Sequence, residues 1–284
     1  MKSDQSIAFI GYGVMAEAMI TGLIHNQVAS PKQIRASGPR QDRADELREK
    51  YGIQTTTDNV QAAQGADVVV LSVKPQRLPQ VLAGLCGKIS PQALVLSIVA
   101  GGVMDSIAEK LNHDRIVRAM PNTPAQIGEG ITVWCASPAA LPEQRALAQE
   151  ILCALGQEVF VEEETYLDMA TALSGTGPAY IFLFLEAMID SGVHLGLPRR
   201  IAQQLVVQTV RGSVDFFDQS KMHPAAMRNQ VTSPGGTSAE ALYYLEKAGF
   251  RTAISRAIWA AYERSQELGK GRPGRTPEKP ASES

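Results

Sequence analysis

Short runs of valine, isoleucine and leucine alternate with amphipathic stretches through the first half of the chain. Parallel strands joined by crossover helices leave this pattern. It predicts strands over 6–10, 34–37, 68–72, 94–99, 116–119, 131–135 and 158–161, with helices over 14–25, 42–51, 78–85, 106–111 and 143–155. The middle strands lack polar alternation, so both faces of the sheet are expected to be covered. The expected architecture is α/β, built on a doubly wound sheet.

After the acidic run Glu162, Glu163 and Glu164 the strand signal stops, and the pattern to about Leu268 is helical. A domain boundary is therefore expected there, giving a first domain over 1–163 and a helical domain over 164–268. The tail 269–284 (GKGRPGRTPEKPASES) has almost nothing apolar to bury and is expected to be disordered. The segment AYIFLFLEAMI at 179–189 is apolar on nearly every face. Either a subunit interface or burial at the centre of a bundle would satisfy it.

Composition narrows the function. With 284 residues, 44% of them hydrophobic, the chain is long and apolar enough for two cores. A net charge of -2 without a basic face argues against a nucleic-acid partner, whose phosphates need clustered Lys and Arg. Cys86, Cys135 and Cys153 are too widely spaced for a metal site or a disulfide framework, which fits a reducing cytoplasm. The N-terminus lacks the features of a signal peptide. The most apolar stretch is interrupted by Glu186 and followed by Asp190, so no membrane span is expected.

The first predicted strand runs directly into Gly11, Tyr12, Gly13, Val14, Met15 and Ala16, and then into a helix. G-x-G-x-x-A in that context is a dinucleotide fingerprint, and it makes the sheet one of Rossmann type. Gly11 allows the tight turn, Gly13 lets backbone approach a pyrophosphate, and Ala16 permits close helix-to-strand packing. Free N–H groups at the helix start then face the anion.

An NAD site normally places a carboxylate at the end of the second strand, for the ribose 2'-hydroxyl. Here Ser37, Gly38, Pro39 and Arg40 stand in that region, which suits a 2'-phosphate better. NADP(H) is the expected cofactor, with NAD(H) as the alternative. Three further strand ends break into loops at the edge where ligands gather: Ser72-Val73-Lys74-Pro75, Val99-Ala100-Gly101-Gly102 and Met120-Pro121-Asn122-Thr123-Pro124. Lys74 also fits an ordinary surface lysine, whereas Ala100 and Gly101 are small enough for close cofactor approach.

In the helical half, Ser174-Gly175-Thr176-Gly177-Pro178 precedes the apolar helix, with Pro178 suited to its first turn. Its glycines also fit simple close packing. The segment Val231 to Ser238 (VTSPGGTS) carries more hydroxyls and free amides than a connector needs; opening a helix, it would form a nest for a carboxylate. A helix N-cap explains one of those hydroxyls but not the cluster. No nucleophilic triad or metal cluster emerges, and the four histidines are scattered.

Together these residues resemble pyrroline-5-carboxylate reductase. The matching runs are FIGYGVMAEAM at 9–19, VKP at 73–75, SIVAG at 97–101, RAMPNTP at 118–124, LSGTGPAY at 173–180 and VTSPGGTSAEAL at 231–242. The resemblance implies an N-terminal dinucleotide domain and a C-terminal helical domain that intertwines with a second subunit, and members often assemble further, into decamers of five dimers. The implied reaction is reduction of the cyclic imine of 1-pyrroline-5-carboxylate to L-proline by NAD(P)H, the last step of proline biosynthesis. By matching position, Gly11 to Ala16, Ser37, Gly38, Arg40, Asn59, Ser72, Val73, Lys74, Pro75, Ala100, Gly101 and Asn122 fall in the cofactor regions. Ser233, Gly235, Gly236, Thr237 and Ser238 match the substrate loop. The family commonly has Thr where Ser238 stands, with its hydroxyl placed on the imine nitrogen; serine keeps the hydroxyl but loses the methyl that restricts its rotamer.

A β-hydroxyacid dehydrogenase shares the Gly-x-Gly-x-Met start, but Ile181 stands where its catalytic lysine would be expected. A regulator that senses NADPH without chemistry would not need the hydroxyl-rich nest.

Overall fold

Eight strands make one sheet: β1 (Ile7–Ile10), β2 (Ile34–Ser37), β3 (Gln54–Thr56), β4 (Val68–Leu71), β5 (Leu94–Ser97), β6 (Ile116–Met120), β7 (Gly130–Ala136) and β8 (Gly156–Phe160). Their spatial order is β3-β2-β1-β4-β5-β6-β7-β8. In β1, Ile7 and Phe9 join the core on one face, while Ala8 and Ile10 join the core on the other. Successive side chains of a strand point to opposite faces, so an unbroken apolar run requires cover on both. Helices α1 (Val14–His25) and α6 (Pro142–Cys153) supply it on the first face, through Met19, Ile20, Leu23, Ile151 and Leu152. On the second face Leu82, Leu85 and Ile107 come from helices α4 (Leu78–Leu85) and α5 (Met104–Leu111).

The computed structural model describes residues 1–2 and 4–271, and the chain divides into two compact units. Among the described residues, one comprises the chain to Thr176 together with 260–271; the other is Gly177–Trp259. The sequence placed the boundary at 163/164, whereas by contacts the sheet unit extends to Thr176 and takes back the end of the last helix.

All seven predicted strands are present. The helix expected over 42–51 is α2 (Gln41–Tyr51); one further strand, β3, and one further helix, the short α3 (Asn59–Ala63), complete the first half. Strand β3 has the polar sequence QTT at the sheet edge, with no apolar alternation to reveal it. A second correction concerns direction: β7 runs antiparallel to β6, while every other neighbouring pair is parallel. Only residues 121–129 join the two, which is too short for a crossover helix.

Continuing past α7 (Tyr166–Ala170), the second unit holds α8 (Gly177–His194), α9 (Arg199–Ser220), α10 (Pro224–Gln230), α11 (Thr237–Lys247) and the first half of α12 (Phe250–Gly269). Helices α8 and α9 pack closely: a Cβ on Gly192 would lie 2.9 Å from that of Ala202. No residue of α8 is buried within the chain, and Phe182 and Leu183 are 61% and 67% exposed. Within one chain the central-helix alternative is thereby removed, and the apolar face is available to another subunit.

Two expectations are corrected here. The continuous helical run Tyr166–His194 is long and apolar enough, by length and composition, to cross a membrane, contrary to the sequence reading. The expected disordered tail began at Gly269, yet Gly269 ends α12 and Lys270 N–H still donates to Gln266 O at 3.1 Å. The remainder of that tail, 272–284, lies outside the described residues.

Candidate functional site

The strand order of the sheet reverses between β1 and β4, creating the crevice at their carboxyl ends where doubly wound sheets bind ligands. Gly11 leaves β1 with φ of 101°, a conformation that favours glycine. A Cβ there would sit 2.8 Å from Ser72 O, so the turn also lacks room for a side chain. Three hydrogen bonds fasten it: Gly11 N–H to Ser37 O at 2.8 Å, Ser72 N–H to Ile10 O at 3.0 Å and Ser72 Oγ to Gly11 O at 2.7 Å.

Gly13 is the N-cap of α1, with no side chain bonded to the free amides that follow. A Cβ on Gly13 would meet nothing within 4 Å. That open space in front of uncapped helix amides is what a pyrophosphate requires. Ala16 is fully buried beneath it, as its role in helix-to-strand packing demands. Val14 is exposed and Met15 is packed at the edge of the core. The residues present therefore fit a dinucleotide.

At the end of β2, Ser37 is buried and its hydroxyl donates to Asn59 Oδ1 at 2.8 Å, which brings two predicted residues together. Arg40 is the N-cap residue of α2, and its guanidinium is exposed. Its nearest carboxylate, Asp42, is 3.7 Å away and also in solvent. Among neighbouring cations Arg43 is already engaged by Glu17 and Glu46.

Pro75, Ala100 and Gly101 line one cavity with α4 and α5 side chains and Leu268, so the VKP and AGG loops do meet. Lys74 precedes Pro75 on the exposed surface. Gly101 has φ of 72°, and a Cβ on it would lie 2.8 Å from Gly269 N and from Leu268. The smallness of Gly101 is thus taken up by packing against the end of α12, which the sequence did not reveal. Asn122 is nearly buried, and its Oδ1 accepts from Ile131 N–H at 3.0 Å, tying the MPNTP loop to β7. The run 171–175 forms a π-helical turn; Thr176 N–H and Oγ1 both donate to Thr171 O at 2.8 Å. Gly175 lies against Met120, a Cβ there being 2.7 Å from Met120 Cε, so this glycine does serve packing.

In the second unit the segment before α11 forms a tight turn that opens the helix. Gly236 N–H donates to Ser233 O at 3.0 Å, and Gly235 turns with φ of 70°. Gly236, not a serine or threonine, is the N-cap, and no side chain caps the helix. The N-cap alternative therefore accounts for none of the hydroxyls of Ser233, Thr237 and Ser238. Ser233 Oγ stands over Gly236, where a Cβ would be 2.8 Å from it. Thr232 alone is spent locally, its hydroxyl donating to Arg228 O at 2.6 Å. Among the described residues there is no cluster of three metal-ligating side chains. Burial pushes the Cys135 thiol up to about 12, which makes it a poor nucleophile.

A family model described as pyrroline-5-carboxylate reductase dimerisation matches residues 164–268, and one described as NADP oxidoreductase, coenzyme F420-dependent, matches 6–101. A curated pyrroline-5-carboxylate reductase from Synechocystis is 45% identical, over 93% of this chain and 98% of its own length. The chain belongs to the pyrroline-5-carboxylate reductase family.

Solved structures agree. A pyrroline-5-carboxylate reductase from Coxiella burnetii aligns with a TM-score of 0.83 at 39% identity, covering 93% of this chain and 98% of its own. A Plasmodium falciparum pyrroline carboxylate reductase with NADP bound aligns at 0.88 and 30%, covering 95% and 100%. The helical half thus carries the dimerisation region of the reductase family, which accounts for the exposed apolar face of α8. The chain is an oligomer-forming member of a small-molecule oxidoreductase family.

Proposed function

We propose that this chain reduces 1-pyrroline-5-carboxylate to L-proline with NADPH, the last step of proline biosynthesis. The observation that carries the reading is the turn before α11: uncapped amides at Thr237 and Ser238, with the Ser233, Thr237 and Ser238 hydroxyls lacking a protein partner among the described residues. Such a turn holds a carboxylate, and the substrate is a cyclic imine bearing one. The phosphate cradle at Gly11 to Ala16 supports the cofactor half, and NADP bound to the Plasmodium relative supports NADP(H) over NAD(H).

Reduction of C=N adds a hydride to C5 and a proton to nitrogen; when bound, the nicotinamide supplies the hydride. A protonated iminium accepts hydride readily, so the chain needs orientation more than a strong acid. Ser238 Oγ steadies or protonates the ring nitrogen, while Ser233, Gly235, Gly236 and Thr237 anchor the carboxylate. Ser72 to Pro75, Ala100, Gly101 and Asn122 border the nicotinamide end, and Ser37, Gly38, Arg40 and Asn59 the adenosine end. Ile181, in place of a catalytic lysine, argues against hydroxyacid oxidation. Dimers formed through α8, assembling as five dimers in a cytoplasmic decamer without nucleic acid or membrane, complete the reading.

NADPH absorbance decay tests it. Decay is expected with pyrroline-5-carboxylate and not with short hydroxyacid-derived aldehydes or with no substrate; decay only with the aldehydes would overturn it.

A further inference from the structure

The phenol of Tyr12 forms a two-point bracket with a residue on another loop. Its hydroxyl donates to Arg40 O at 2.6 Å and accepts from Arg40 N–H at 3.1 Å. The ring lies under Gly38, where an added Cβ would come within 2.5 to 2.9 Å of ring carbons. Gly38 has no positive φ, so its glycine is required by the ring and not by backbone conformation. Tyr12 is buried, with 6% of its surface exposed, although it sits in the middle position of the fingerprint, which any residue can fill. Burial holds its hydroxyl above its ordinary pKa, so it keeps the proton it donates.

Both main-chain polar groups of Arg40 are thus held by one side chain, at the N-cap of α2. Among the described residues the guanidinium has no buried ion-pair partner and pairs only with the exposed Asp42. The backbone is therefore fixed while the charged end stays available. We propose that Tyr12 is a specificity-positioning residue: by bracketing Arg40 it holds the β2–α2 turn where guanidinium and helix amides can bind a ribose 2'-phosphate. The inference rests on the NADPH reading above and adds to it the residue that presets the turn. Preorganisation lowers the cost of ordering the turn on binding, so its loss reduces affinity for ligands that use the turn and spares those that do not.

The test is a set of dissociation constants for 2',5'-ADP and 5'-AMP, measured by calorimetry on wild type, Tyr12→Phe, Arg40→Ala and the double variant. Phenylalanine keeps the ring under Gly38 and removes only the bracket. Tyr12→Phe is expected to weaken 2',5'-ADP by about three- to tenfold and 5'-AMP by less than about twofold. In the Arg40→Ala background the same change should cost less than about twofold, because both act through one contact. Unchanged 2',5'-ADP affinity in Tyr12→Phe, equal weakening of both ligands, or full additivity with Arg40→Ala would each overturn the Tyr12 assignment while leaving the NADPH reading intact. Wild type binding 2',5'-ADP no better than 5'-AMP would instead overturn the NADPH reading, and the Tyr12 inference with it.

Discussion

The guanidinium of Arg118, buried in β6, lies 3.4 Å from Oδ1 of Asp168 in α7. The same carboxylate oxygen accepts from Ser265 Oγ, on the last turns of α12, at 2.7 Å. Arg118 also reaches Glu164 Oε1 at 2.8 Å, and that oxygen accepts from Met104 N–H at the start of α5, again at 2.8 Å. One arginine thereby ties a sheet strand to three helices around the carboxyl edge of the sheet.

Arg118→Met should therefore destabilise the sheet unit by about 3 kcal/mol, since removing one partner leaves two partly buried carboxylates uncompensated. A urea midpoint shifted down without a change in slope would show this, and an unchanged midpoint would mean that the network is solvated.

Gly101→Ala places a Cβ against the backbone of Leu268 and Gly269 at a residue with positive φ. A loss of about 2 kcal/mol is expected. Adding Leu268→Ala should not restore it, because two of the three nearest atoms are main chain; thermal melts of the single and double variants decide.

Glu17 in α1 accepts hydrogen bonds from Lys50 Nζ at 2.9 Å and Tyr51 OH at 2.8 Å, and pairs with Arg43. Burial raises its pKa, but these partners outweigh burial and hold it below the ordinary carboxylate value. A depressed carboxylate contributes stability above its unfolded pKa, and that contribution is lost as pH falls through the folded value. The stability gap between wild type and Glu17→Gln should thus be full at neutral pH and shrink as acid titrates the folded carboxyl. A gap that is constant through that acid range in denaturation curves would contradict the ion-pair account.

Leu183→Asp puts a charge on the exposed apolar face of α8, where a subunit interface would have to desolvate it. Light scattering should report smaller assemblies than wild type at the same concentration. Unchanged mass would place the interface elsewhere.

Periodicity and turn chemistry were enough to read most of the sheet and the phosphate cradle. The buried runs IAFI and VVVL and the glycines after β1 are dictated by local physics. What escaped was set by neighbours distant in sequence. Strand β3 is stabilised by pairing with β2, not by its own QTT, and β7 reverses because its connection is short. The Glu162–Glu164 run reads as a domain boundary, yet Glu164 is a partner of Arg118. Gly101 reads as room for a ligand, yet the space a Cβ would take there is occupied by Leu268 and Gly269. Tyr12 occupies a fingerprint position that places no demand on its side chain, so its bracket on Arg40 has no sequence signature.

Steady-state turnover of pyrroline-5-carboxylate by wild type and Ser238→Ala, with proline quantified against NADPH consumed, tests the central claim most directly. The account predicts equimolar NADPH loss and proline gain in wild type, and a turnover lower by about tenfold or more in Ser238→Ala with NADPH affinity preserved. Wild type that consumes no NADPH with this substrate, or a Ser238→Ala variant with wild-type turnover, would contradict it.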